Sequence, residues 1–193
     1  MTNVLILNGH LQYSYSQGTL TASLIERAES FFLNKGWAAK TTITADSYDV
    51  AAEIEKFKWA DVVLLQMPLN WMGMPWSLKK YVDDVWGAGM AGEMSLYDGR
   101  SSEDPKKNYG TGGLLKGRYM LSVTANSPQE AFSSPSEHYF AGRSEDDLLL
   151  PIHLLFKWVG LGKVESFWSY DVMKNPQIEQ DFVRFDNHLN LHF

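Results

Sequence analysis

Apolar positions along the chain follow two rhythms in turn. "NVLILNG" (3–9) and "DVVLLQ" (61–66) are unbroken apolar runs, as expected of strands covered on both faces. Between them, "TLTASLIERAESFFLNKG" repeats at three and four residues. This predicts a helix with Leu20, Leu24, Ala28 and Phe31 on one face and Gly36 ending it. "WAAKTTIT" reads as a second strand and "DVAAEIEKFKWA" as a helix leading into the third. "PWSLKKYVDDVWG" predicts a helix opening at Pro75, "YMLSVT" (119–124) a fourth strand and "KVESFWSY" (163–170) a fifth. "SEDDLLLPIHLLFKWVG" reads as a helix interrupted or initiated near Pro151. The tail reads as a helix capped at Asn175, with Ile178, Phe182, Phe185 and Leu189 in a stripe.

Strands alternating with helices imply a parallel, doubly wound sheet with right-handed crossovers. The expected architecture is α/β, a flavodoxin-like five-stranded sheet of order 2-1-3-4-5 in three α/β/α layers, as one domain over residues 1–193. In such sheets ligands sit beyond the carboxyl ends of the strands. Loops 8–18, 67–74 and 125–140 are then expected to converge. Two intervals are longer than compact connections, the Gly-rich 88–117 and the irregular 125–143, and loops of that length are usually functional or disordered.

Composition narrows the chemistry. With 45% hydrophobic and 21% charged residues the chain is an ordinary globular protein, but 13% aromatic content with seven tryptophans is high. Net charge of −6 without a basic cluster argues against nucleic acid as a partner. There is no basic n-region for a signal peptide, and no window nears the roughly 18 apolar residues of a membrane span, so the chain is expected to be cytoplasmic and not membrane-embedded. The absence of cysteine removes disulfides, thiolate nucleophiles and zinc–sulfur sites.

The three loops carry the candidate chemistry. Loop one, "NGHLQYSYSQGTL", has neither a GxGxxG nor a GxxxxGK[ST] pattern. It does set Ser14, Ser16, Gly18 and Thr19 directly before a helix, whose amides can hold phosphate without a lysine. The plainer alternative is that Ser16 or Thr19 caps that helix. Loop two, "MPLNWMGMPW", offers the flat, polarisable surfaces of Trp71 and Met72 to a large heterocycle, or else is core. Loop three, "TANSP", supplies Thr124 and Asn126 as hydroxyl and amide partners, or a turn before Pro128. The five histidines are scattered, no metal-binding pattern is present, and no G-x-S-x-G elbow occurs. "SLKKYVDDVW" reads as a solvated helix face with i,i+4 ion pairs.

These residues together suggest a family. "QMPLNWMGMPWSLKKYVDDVW", with "NVLILNG", "YSQGTL", "ADSYDV", "DPKKNYGTGGLLKGRYMLSVT" and "PIHLLFKWVGL", resembles the FAD-dependent NAD(P)H:quinone oxidoreductases of flavodoxin-like fold. The likeness is greatest to a bacterial branch called modulator of drug activity B. The resemblance implies FAD as cofactor, NADPH or NADH as reductant and a quinone as acceptor, with reductant and acceptor taking turns at one flavin face. It also implies a homodimer with the flavin near the subunit interface. By that resemblance Ser16, Gln17, Gly18, Thr19 and Leu20 hold the pyrophosphate and ribose region. Pro68, Leu69, Asn70, Trp71 and Met72 pack on the isoalloxazine, as do Thr124, Ala125, Asn126 and Ser127, and Tyr109 also touches the cofactor. The chain departs from the family's pattern at Asn70 and Ala125, where aromatics are expected. Two rival readings remain: an FMN-dependent azo- or nitroreductase of the same fold, and a non-catalytic flavin- or quinone-sensing subunit.

Overall fold

A computed structural model describes all residues from Met1 to Phe193. Its strands alternate between two cores. In β1 (Asn3–Asn8), Val4 and Ile6 face one side and Leu5 and Leu7 the other. The same two-residue alternation runs through β3 (Val62–Pro68) and β4 (Arg118–Thr124). Both faces are therefore apolar, and each needs a layer of helices. On one side lie α1 (Thr19–Asn34) and a C-terminal helix. On the other lie α2 (Val50–Trp59), α3 (Trp76–Gly89) and α5 (Leu150–Trp158), the last preceded by the single turn α4 (Glu145–Leu148). With β2 (Ala38–Ile43) the parallel order is β2-β1-β3-β4-β5, the flavodoxin-like winding expected from the sequence.

Several details differ from the sequence reading. The fifth strand is split into β5 (Gly162–Lys163) and β6 (Phe167–Ser169), both paired with β4. Val164 and Phe167 pack into the same core, and a spacing of three interrupts the two-residue repeat. The buried face of α1 is Thr21, Leu24, Ile25, Ala28 and Phe32, with Leu20 and Phe31 half-buried at its margin. Pro75 precedes α3 instead of opening it. The last helix, α6 (Ile178–His192), starts after Gln177 with no side-chain cap, so Asn175 does not cap it. Gly36, at φ 74°, follows the end of α1 as expected.

The 88–117 excursion is not loose. Met94 and Ser95 are fully buried, and Leu115 N donates to Val159 O at 2.9 Å. Gly113 lies so close to Gly160 that an added Cβ would stand 2.3 Å from the Gly160 amide nitrogen. Both ends of the excursion are tied at the amino end of the sheet, where α3 and α5 finish and β4 begins.

Candidate cofactor cleft

At the carboxyl end of the sheet, β1 gives way to loop one. His10 N donates to Asn8 Oδ1 (3.0 Å), which turns the imidazole inward to 6% exposure. His10 Nδ1 lies 3.1 Å from Leu11 O, and a carbonyl only accepts, so Nδ1 carries the proton of the neutral ring. Nε2 is then a bare acceptor, buried and without a partner. Burial also pushes the His10 pKa below its ordinary value. The ring abuts Gly18, whose φ of 80° and lack of a Cβ are both required, since a Cβ there would meet His10 at 2.6 Å.

Gly18 is the N-cap of α1, and no side chain caps that helix. Ser16 is instead used in a tight turn, exchanging both backbone hydrogen bonds with Tyr13, and Gln17 braces the same turn through Tyr13 O and Ser14 O. The first backbone bond of α1 is Ala22 N to Gly18 O, which leaves the amides of Thr19, Leu20 and Thr21 pointing out at the positive end of the helix dipole. The capping alternative for Ser16 or Thr19 is thereby overturned. Ser16, Gln17, Gly18, Thr19 and Leu20 line one cleft of about 610 Å³ together with Pro68 and Thr124. Such a volume lies within the roughly 300–1,000 Å³ range of small-molecule sites.

Loop two borders this cleft from the side. Asn70 and Gly73 exchange backbone hydrogen bonds at 2.9 and 3.0 Å across a two-residue turn. Trp71 and Met72 occupy its central positions at φ 46° and 66°, which primed hairpin turns normally reserve for Gly, Asn or Asp. Trp71 is nonetheless 97% exposed, so it is not core. Strain without packing marks a residue held for something outside the chain. Asn70, Trp71 and Trp76 line a neighbouring groove of about 740 Å³, and the stacked rings of Tyr13 and Tyr15 (5.2 Å apart) stand between groove and cleft.

Loop three is less open. Leu69 N donates to Thr124 O, Ala125 N to Ser169 O, and Asp171 N to Ser127 O, tying the loop to β3 and β6. Ala125 is buried and Asn126 exposed. Of the expected residues, Leu69, Met72, Ala125, Asn126 and Ser127 surround the cleft and groove without lining the cleft. Tyr109 stands apart: its ring packs edge-on against Trp158 (5.3 Å) at the amino end of the sheet, and one chain does not bring it to the others.

The sequence reading passed over three groups of contributors. His10 looked like one of several scattered histidines, although its place two residues beyond the first strand was visible. Val172, Ile178 and Phe182 close the far side of the cleft. Beneath it, Ser122 Oγ donates to Gln66 Oε1 at 2.6 Å, while Gln66 Nε2 and Ser169 Oγ have no partner. A glutamine inside an apolar strand was the available signal. No group of three or more His, Cys, Asp or Glu side chains could hold a metal ion, and no helix is long and apolar enough to cross a membrane.

A family described by its flavodoxin-like fold matches residues 2–189. The chain is 42% identical over 188 residues to the NADPH:quinone oxidoreductase MdaB of Haemophilus influenzae, covering 97% of both chains. Among solved structures it is similar to a candidate quinone reductase of Klebsiella pneumoniae (TM-score 0.76, 23% identity, 98% of this chain and 84% of that one). It is also similar to general stress protein 14 of Treponema denticola, solved with FMN (TM-score 0.67, 17% identity, 99% and 97%). At these identities the two structures speak for the fold alone.

Proposed function

The chain belongs to the family of flavodoxin-like fold matched over residues 2–189, and from that premise we propose a cytoplasmic, homodimeric FAD-dependent NADPH:quinone oxidoreductase. The observation that carries this reading is the unpartnered Nε2 of His10 beside the uncapped amides of α1, inside a cleft bounded by Pro68 and Thr124. A phosphate fits that donor set, because helix amides and an imidazole able to gain a proton together receive an anion. The 42% identity to a named NADPH:quinone oxidoreductase supports the electron donor and acceptor classes.

In this reading the amides of Thr19, Leu20 and Thr21 bind the pyrophosphate, with Ser16, Gln17 and Gly18 shaping the approach. Pro68 and Thr124 form the floor, and Leu69, Asn70, Trp71, Met72, Ala125, Asn126 and Ser127 surround the ring system. A flavin held there would supply two-electron hydride chemistry between reduced nicotinamide and a quinone. The chain's own residues orient the reactants and exclude water, and none is needed as a general acid.

FAD is favoured over FMN because the cleft continues past Ser23 and Phe182 into a groove of about 650 Å³ between α1 and α6. There the Arg27 guanidinium lies 4.1 Å from the centre of the Phe182 ring, a pair suited to an adenine face. The long 88–117 excursion lies at the other end of the sheet and lends no support. Tyr109 belongs to this site only when a second copy supplies it. Reductant and quinone take turns in the groove beneath Trp71, an opening beside the cleft that carries exposed aromatic surface.

Steady-state rates with a panel of quinones and azo dyes, using NADPH and NADH, test the proposal. Quinone turnover with parallel initial-rate lines is expected. Preference for azo dyes together with FMN would indicate an azoreductase. Bound flavin without turnover would indicate a sensing subunit.

A further inference from the structure

The chain from Asp171 to Ile178 has two sides. Val172, Pro176 and Ile178 line the cofactor cleft, whereas Asp171, Asn175 and Gln177 line a separate cavity of about 210 Å³. The same cavity is lined by Gln129 and Glu130 and, from α6, by Asp181 and Arg184. Asp181 is only 3% exposed. Its Oδ1 receives Arg184 Nη2 at 2.6 Å, and Nη2 also donates to Trp168 O at 2.8 Å. Its Oδ2 is buried with no donor. Asp171 Oδ1 is in the same condition, on a residue held at φ 47°.

The plain reading is that Asp181 serves the first turn of α6, where a carboxylate favours the helix dipole, and pairs with Arg184. That accounts for one oxygen of Asp181 and for nothing at Asp171, which lies outside the helix. A buried acceptor without a donor costs stability, and a charged one costs more. Two such oxygens belong to one cavity, whose lining sets three carboxylates against one guanidinium. The balance calls for positive charge from outside the chain.

We propose that this cavity holds a hydrated divalent cation of the magnesium type between Asp171 Oδ1 and Asp181 Oδ2. No His or Cys lines it, which disfavours metals that seek imidazole or thiolate. No third carboxylate stands close enough to build an all-protein cage. Magnesium needs none, because it is usually bound through one or two carboxylates and keeps several waters. At about 30 Å³ per water, the cavity has room for the ion with part of its shell. The amide side chains of Gln129, Gln177 and Gln180 can hydrogen-bond those waters. The ion thus pins one side of a segment whose other side closes the cleft, which couples it to flavin binding. That coupling rests on the preceding functional reading; the cation site does not.

Mn²⁺, which substitutes for Mg²⁺ and is counted by its paramagnetic resonance, tests the site on the full chain as purified. One Mn²⁺ per chain, displaced by excess Mg²⁺, is expected. Asp181→Asn and Asp171→Asn should each weaken it roughly tenfold or more, and asparagine tolerates the left-handed backbone at 171. Mg²⁺ at about ten times its Kd should raise the wild-type melting temperature by about 3–6 °C, and that of either variant by about 1 °C or less. An equal Mg²⁺ response in wild type and variants would mean that the carboxylates serve the fold alone, and would overturn the inference. So would the absence of Mn²⁺ binding, or Mn²⁺ binding that survives both substitutions and therefore belongs to a bound pyrophosphate. Flavin affinity should rise with Mg²⁺ by about threefold or more in the wild type only, and an unchanged affinity would overturn the coupling. Flavin content of the same samples separates the two levels. Protein without flavin that binds Mn²⁺ through Asp181 loses the functional reading and keeps this site, whereas flavin-bearing protein without that Mn²⁺ loses this inference alone.

Discussion

The two ends of the sheet hold irregular, glycine-containing chain of very different character. At the amino end, the 88–117 excursion has its needs met internally: Met94 is fully buried, and Gly113 and Gly160 pack backbone to backbone. At the carboxyl end needs are left over. His10 Nε2 has no partner, the first turn of α1 has no cap, and Trp71 holds a positive φ while nearly all its surface meets solvent. Length and glycine content do not distinguish a structural loop from a binding loop. Unspent hydrogen-bonding capacity and unpacked strain do.

The largest effect expected from this contrast is at the amino end. Gly113→Ala drives a methyl into the Gly160 backbone, and overpacking of that kind costs about 1–3 kcal/mol. For a chain of this size that lowers the melting temperature by roughly 3–10 °C. Flavin affinity measured well below the transition should stay within about twofold. A tenfold loss of affinity would mean the two ends are not separable.

Gly18→Ala strikes both properties at the carboxyl end. A left-handed φ costs a non-glycine residue about 1–2 kcal/mol, and the new methyl also meets His10. Thermal melts should show that loss in the flavin-free protein, and titration should show weaker flavin binding in addition. Stability loss alone, with unchanged affinity, would take Gly18 out of the cleft's function.

Trp71→Ala should do the reverse. Stacking contributes about 0.5–1.5 kcal/mol beyond area burial, so flavin affinity or quinone turnover should fall roughly tenfold. Being 97% exposed, the side chain contributes little to the fold, and the melting temperature without flavin should not drop. Trp71→Phe should keep most of the function. Equal affinity in wild type and Trp71→Ala would break the assignment of loop two.

The smallest expected effect concerns pH. The free-state pKa of His10 is lowered by burial, so the stability tied to its neutral ring is present above about 6.5 and declines as pH falls below that value. A bound phosphate reverses the preference, because protonated Nε2 can donate to it. Flavin binding should therefore take up a proton and tighten severalfold between pH 8 and pH 6, and His10→Gln should flatten that slope. Calorimetry in two buffers of different ionisation enthalpy would read the proton directly.

Much of the fold was legible because both sheet faces are buried, which makes β1, β3 and β4 continuous apolar runs bounded by helical periods. The split of the fifth strand was also written in the three-residue step from Val164 to Phe167, which a reading by composition passes over. The cleft was legible where backbone geometry is local, as in "YSQGT" before a helix. His10 was not, because its significance lies in an empty valence that only the folded environment reveals. Tyr109 stands apart from the cleft, packed on Trp158 at the other end of the sheet, and likeness of sequence does not carry that placement. The strain at Trp71 and Met72 could not be read from residue types that ordinarily avoid such backbone.

The central claim is that the carboxyl-end cleft, with its extension between α1 and α6, holds FAD. Denaturing the purified protein and identifying the released flavin by chromatography tests it most directly. FAD at close to one per chain is the predicted result; FMN alone, or no flavin in a correctly folded preparation that also fails to take up FAD, would contradict it.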